Sequence, residues 1–103
     1  MSLIKWSEEG SEVRVGLPGD LDLAMAAPLA DAMRHALGAG KPVLVAADQV
    51  ERLSSAPVQV LLAAVKQIEE QGGKLTIVKP SEVFVETCDD LGLSGWLKKW
   101  SEM

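Results

Sequence analysis

Two short runs without charge, at residues 43–47 and 75–78, flank a long segment whose apolar residues recur every three to four positions. In that segment Val58, Leu61, Leu62, Val65 and Ile68 fall on one side of a helix running over about 55–71. The flanking runs suit strands buried on both faces. A strand, a helix and a second strand in this order close into a parallel pair through a right-handed crossover. Any fold for this chain must contain that unit.

The rest of the chain extends the same rhythm. Residues 3–6, from Leu3 to Trp6, make a plausible first strand, and Glu9-Gly10 is a turn signal. Val13, Val15 and Leu17 alternate with polar or small residues, as in a strand with one covered face. These two runs read as a hairpin, ended by Pro18-Gly19. Leu29, Met33, Ala36 and Leu37 then recur at helical spacing. Pro28 fits the first turn of a helix starting near Ala26, and Gly38 and Gly40 stop it. Gly72-Gly73 ends the next helix. Ser81 caps a third, which carries Phe84, Cys88 and Leu91 and is closed by Gly92. A last short helix from Ser94 carries Trp96, Leu97 and Trp100. The predicted fold is α/β, in the order ββαβαβαα. It is a mixed four-stranded sheet with helices mainly on one face. No linker or repeat divides residues 1–103, which read as one domain.

Charge excludes some functions. The net charge is −5, and the acidic residues are scattered. A nucleic-acid binder needs a basic face to neutralise phosphates, and docking on anionic lipid needs the same. There is one cysteine, so no internal disulfide can form and a reducing compartment is the simpler expectation. The first ten residues lack the apolar core of a secretion signal, and no apolar stretch is long enough to span a bilayer. A cytoplasmic protein without direct membrane insertion is expected.

Catalysis needs convergent groups, and few are offered. The one histidine, His35, lies about two positions from the apolar stripe of the first helix, where a surface role is expected. Cys88 shares a helix face with Phe84 and reads as a small buried hydrophobe. No phosphate loop, dinucleotide fingerprint or metal-ligand spacing is present. Trp6, Trp96 and Trp100 lack the basic surroundings of a stacking platform and are expected to pack the two ends onto the core. No enzyme activity, cofactor or metal is expected.

Two segments remain. Gly19-Asp20-Leu21-Asp22 places two carboxylates in a loop between strand and helix. Arg52-Leu53-Ser54-Ser55-Ala56-Pro57 places two hydroxyls at a helix start. Turn chemistry and N-terminal capping account for both, because Asp and Ser side chains accept backbone N–H bonds in such settings. Read from the residues alone, that is the fuller account of each segment, with an interaction site as the alternative.

Together, in this order, they resemble the STAS domain family of the anti-sigma-factor-antagonist type, found as stand-alone bacterial domains. The family pattern is a strand ending in Gly-Glu-Leu-Asp, a helix, a buried strand, and an Asp-Ser-Ser-Gly-like loop opening an amphipathic helix. Gly-Gly, another strand and a terminal helix near Gly-Leu follow. The matching stretches here are Gly19-Asp20-Leu21-Asp22, the run at 43–47, Leu53-Ser54-Ser55-Ala56, Leu61-Leu62-Ala63-Ala64, Gly72-Gly73-Lys74-Leu75, Pro80-Ser81 and Leu91-Gly92-Leu93. Three positions depart from the pattern: Ser54 replaces the loop Asp, Pro57 stands at the loop Gly, and Ala46 stands at the Asp ending the third strand.

The resemblance implies a regulatory protein-binding domain. In the best-understood members a kinase-like anti-sigma factor phosphorylates the serine beside the loop Asp and so changes partners. The aligned residue here is Ser55, with Ser54 the second choice. The implied partner-binding residues are Asp20, Asp22, Ser54, Ser55, Ala56 and Pro57. Similar domains serve without phosphorylation as accessory subunits on the ATPase of an ABC lipid transporter, or in chemotaxis complexes. The partner is thus a protein, a kinase-like anti-sigma factor or an ATPase, and the chain itself is a monomer or weak dimer.

Overall fold

The computed structural model describes residues 4–102. Strands β1 (Lys5–Glu9) and β2 (Glu12–Gly16) form the expected hairpin, with Glu9 opposite Glu12 across a two-residue loop. Gly10 takes φ +62° in that loop, as the tight turn between twisted strands requires. The hairpin register starts β1 at Lys5, so the strand lies later than residues 3–6; Leu3 falls outside the described residues.

Three parallel strands carry the crossovers. The main sheet has the order β1-β2-β4-β6-β7, with β4 at Val43–Ala46, β6 at Leu75–Val78 and a two-residue β7 at Ser101–Glu102. Only the β1–β2 pair is antiparallel. The four expected strands are β1, β2, β4 and β6, and β7 adds a short rung at the β6 edge. Helices α1 (Ala26–Gly38) and α2 (Ser55–Glu70) make the two crossovers and pack on each other. Helices α3 (Glu82–Asp90) and α4 (Ser94–Trp100) follow β6.

The core lies between the helices and one face of the sheet. Val13, Val15, Val43, Val45, Leu75 and Ile77 are buried there with Leu29, Met33, Leu61, Val65 and Phe84. The alternate residues Leu44, Ala46, Thr76 and Val78 are half-buried. β4 and β6 are therefore sealed on the helix face only, and less on the other than expected. Cys88 is fully buried, and burial pushes its thiol up to about 11.

Two apolar positions differ from expectation. α3 stops at Asp90, so Leu91 leaves the helical stripe of Phe84 and Cys88 and is 42% exposed. Trp96 and Trp100 pack partly buried against the core, but Trp6 stays 41% exposed. Its ring stacks on that of His35, itself exposed on α1, with centroids 5.6 Å apart and planes 20° from parallel.

Candidate functional site

A second, smaller sheet is not legible in the sequence. Strands β3 (Asp20–Leu21) and β5 (Arg52–Leu53) pair in parallel, with Asp20 opposite Arg52 and Leu21 opposite Leu53. Gly19 O accepts from the N–H groups of Glu51 at 2.7 Å and Arg52 at 3.0 Å, and Leu21 O accepts from Ser54 N–H at 2.9 Å. This pairing brings the two candidate loops side by side on one rim. A Cβ on Gly19 would stand 3.3 Å from Gln49 O, so the close approach of the loops favours glycine there.

Strand geometry sets the direction of each side chain. Leu21 is fully buried, and the period-two alternation turns Asp20 and Asp22 to solvent on either side of it. Asp22 precedes a 3₁₀ turn over Leu23–Met25, with Met25 N–H bonded to Asp22 O at 3.0 Å. Its carboxylate makes no cap bond. Leu23, next in the chain, is 72% exposed. Periodicity alone misses Leu23; its signal is an apolar residue off the α1 stripe, directly beside Asp22.

The start of α2 supplies the hydroxyls. Ser54 sits at the capping position with φ −92° and ψ 163°, yet its side chain makes no cap hydrogen bond. A capping hydroxyl accepts from the second or third helical N–H. The third helical residue is Pro57, which has no N–H, so one of the two usual donors is missing; the other, on Ala56, is present and is not used by Ser54. Ser55, the first helical residue, is exposed, Ala56 is half-buried and Pro57 is buried. The six predicted residues therefore share one rim, with the turn and helix-start conformations expected, but without the side-chain caps that would explain Asp22 and Ser54 as structural.

The loop before this rim is tied to α3. Ser81 Oγ donates to Val50 O at 2.6 Å and accepts from Phe84 N–H at 3.1 Å, and Ser81 N–H bonds Ala47 O at 3.0 Å. Val50 is buried. The segment at 47–50 is thus fixed from below, and the rim rests on a rigid base.

Among the described residues, no group of three or more His, Cys, Asp or Glu side chains is placed to hold a metal. Among the same residues, no helix is long and apolar enough to cross a membrane.

Solved structures share this architecture. The unphosphorylated form of the anti-sigma factor antagonist SpoIIAA superposes with a TM-score of 0.78 at 18% identity, over 96% of this chain and 85% of that one. SpoIIAA of Bacillus in its phosphorylated form gives a TM-score of 0.75 at 18% identity, over 96% and 88%. An anti-sigma-factor antagonist (STAS) domain protein from Planctomyces limnophilus gives 0.73 at 22% identity, over 95% and 86%. No curated protein matches by sequence. The family model described as MlaB, STAS domain matches residues 4–99, and with the fold just described this places the chain in the STAS domain family.

Proposed function

We propose that this chain is a regulatory protein-binding domain of the anti-sigma-factor-antagonist type. Its partner docks on the rim of Asp20, Asp22, Ser54, Ser55, Ala56 and Pro57, and phosphorylation of Ser55 releases that partner. One observation carries this reading: the β3–β5 pairing sets two exposed carboxylates beside two serine hydroxyls at the start of α2, and neither Asp22 nor Ser54 is used as a cap.

The chain brings no catalytic group to the exchange. A kinase-like anti-sigma factor in the cytoplasm supplies ATP and the base that takes the Ser55 proton; Ser55 Oγ attacks the γ-phosphorus, the bond from that phosphorus to the β,γ-bridging oxygen breaks, and ADP leaves from the kinase. The product adds roughly two negative charges. The α2 dipole tolerates that charge in part. Pro57 removes one of the N–H groups that would otherwise cradle it. Beside Asp20 and Asp22 the phosphoserine repels an acidic partner surface or its bound nucleotide. Release then needs no rearrangement within the domain.

A second reading keeps the docking rim and drops the phosphate. The matching family model is described by MlaB, and Pro57 stiffens the loop where the antagonist pattern has glycine. A partner that needs only shape there, such as the ATPase of an ABC lipid transporter or a chemotaxis complex, fits this rim as an accessory-subunit site.

Affinity capture from host lysate, with wild type beside Ser55→Asp, separates the two. Capture of a kinase-like anti-sigma factor by wild type and its loss from the variant supports the switch. Equal capture of a transporter ATPase or chemotaxis protein by both removes the switch and leaves the binding module.

A further inference from the structure

The main sheet ends at β1, whose outer edge has no neighbouring strand among the described residues. Val13 donates its N–H to Pro42 O at 2.9 Å, and Leu17 donates to Ala46 O at 3.0 Å. Val13, Val15 and Leu17 therefore turn their backbone groups toward β4. Opposite them on β1 stand Glu8 and Trp6, paired with Val13 and Val15. In an antiparallel ladder such residues direct their own N–H and C=O groups away from the partner strand. Trp6 and Glu8 thus each present an unpaired donor and acceptor at the open edge, a template for another strand.

The edge is self-complementary. A second copy laid antiparallel about a two-fold axis through Ser7 puts Trp6 opposite Glu8 of that copy, so the outward groups meet as closely spaced bonded pairs. The same register sets Lys5 opposite Glu9 of the second copy, and Glu9 opposite its Lys5, on the sheet face away from the helices. On the helix face the two Trp6 rings become diagonal neighbours, about 7–8 Å apart, within reach of aromatic side chains. This contact would cover rings that are 41% exposed in the single copy. Lys41 Nζ lies 3.2 Å from the Glu8 carboxylate and offsets part of its charge beside Trp6. Arg14 Nε lies 2.9 Å from Glu9, which leaves the second carboxylate oxygen for Lys5.

Other registers fail. A shift by one residue sets outward backbone groups against inward ones. A shift by two toward the turn places Glu8 opposite Glu8, and a shift by two the other way loses both lysine–glutamate pairs.

We infer that β1 is the contact edge of a two-fold symmetric homodimer, in which two sheets join antiparallel at Ser7 through Trp6 and Glu8 backbone bonds, a Trp6 pair and Lys5–Glu9 ion pairs. Such an interface is isologous and small, so the dimer is weak and exchanges with monomer.

Sedimentation equilibrium on the full chain tests this with two charge reversals. Lys5→Glu alone sets Glu opposite Glu, and Glu9→Lys alone sets Lys opposite Lys. Each should weaken self-association about tenfold. An equimolar mixture of the two variants restores opposite charges at both positions and should regain wild-type association, as a heterodimer. Far-UV circular dichroism confirms that each variant is folded. Wild type that stays monomeric to millimolar concentration overturns the inference. So do single variants that associate as well as wild type, which would place any dimer on another surface, and so does a mixture that fails to recover.

Discussion

Helices α2 and α3 both begin at a serine in extended conformation, Ser54 with ψ 163° and Ser81 with ψ 164°. The two serines then part ways. Ser81 accepts from Phe84 N–H, three residues on, and donates to Val50 O. Ser54 meets Pro57 at the corresponding place and bonds nothing there. One helix start is spent on architecture. The other leaves Ser54 half-buried and uncapped and Ser55 exposed, with the segment of Asp20 and Asp22 beside them across the β3–β5 pair. Pro57 contributes to the difference by removing the third helical N–H, and Ser81 is tied into the fold where Ser54 is not.

Substitutions at the two starts should differ accordingly. Ser81→Ala removes a cap and leaves the buried Val50 carbonyl without its hydroxyl donor, so it should cost about 2–3 kcal/mol. Thermal unfolding should show a fall in Tm of about 10 °C or more. If Ser54→Ala costs as much, the contrast between the two starts is wrong. Cys88→Ser, one turn along α3 from Phe84, sets a hydroxyl in an apolar site and should cost about 1–2 kcal/mol without altering partner affinity. A folded variant that lost binding would move α3 from scaffold to interface.

The Cys88 thiol gives α3 a pH signature as well. Its pKa is raised by burial from 9.0 to about 11, so the folded state favours the neutral thiol. That contribution is absent below pH 9.0, where the thiol is neutral in both states, and as pH rises from there through about 11 the unfolded state gains by ionising first. Wild type should therefore lose stability relative to Cys88→Ala over this window in denaturant titrations. At the α2 start, Ser55→Asp should leave Tm within about 2 °C, because the residue is exposed and an acidic group suits the first turn of a helix. Smallest in stability is Asp22→Ala, within about 0.5 kcal/mol since no cap bond is lost, yet it should weaken partner binding about tenfold. A lowered Tm with unchanged affinity would return Asp22 to a capping role.

The elements with strong periodicity are legible in the residues themselves. The stripes of α1 and α2 and the runs of β4 and β6 follow from spacing alone, and Ser81 reads as a cap from its place. The β3–β5 pair does not, because two residues are too few for a period and the partners are far apart in sequence. Leu91 fits the 84-88-91 spacing of a helix that in fact stops at Asp90, where Gly92 at φ +75° turns the chain. Trp6 suits the core by size alone, but its register on an edge strand leaves it uncovered. At the site, only the resemblance to the STAS pattern groups the six residues at one end of the sheet; turn and capping chemistry leave the two loops unrelated. The uncapped state of Ser54 is not legible in this way: the serine at a helix start reads as a cap, and only the structure shows that its hydroxyl makes no cap bond.

The β3–β5 rim is a sheet of its own, separate from the main ladder. It can part without breaking a rung between β2, β4 and β6. Amide hydrogens at Arg52 and Ser54, which bond Gly19 O and Leu21 O, should then exchange through this local opening, well before those of Val45 and Ile77 in the central strands. If a partner seats across both loops as proposed, it suppresses that opening by binding only the closed rim. Slowed exchange at these amides then becomes a label-free gauge of occupancy, and because the rim is already paired in the free chain, little affinity is lost to closing it.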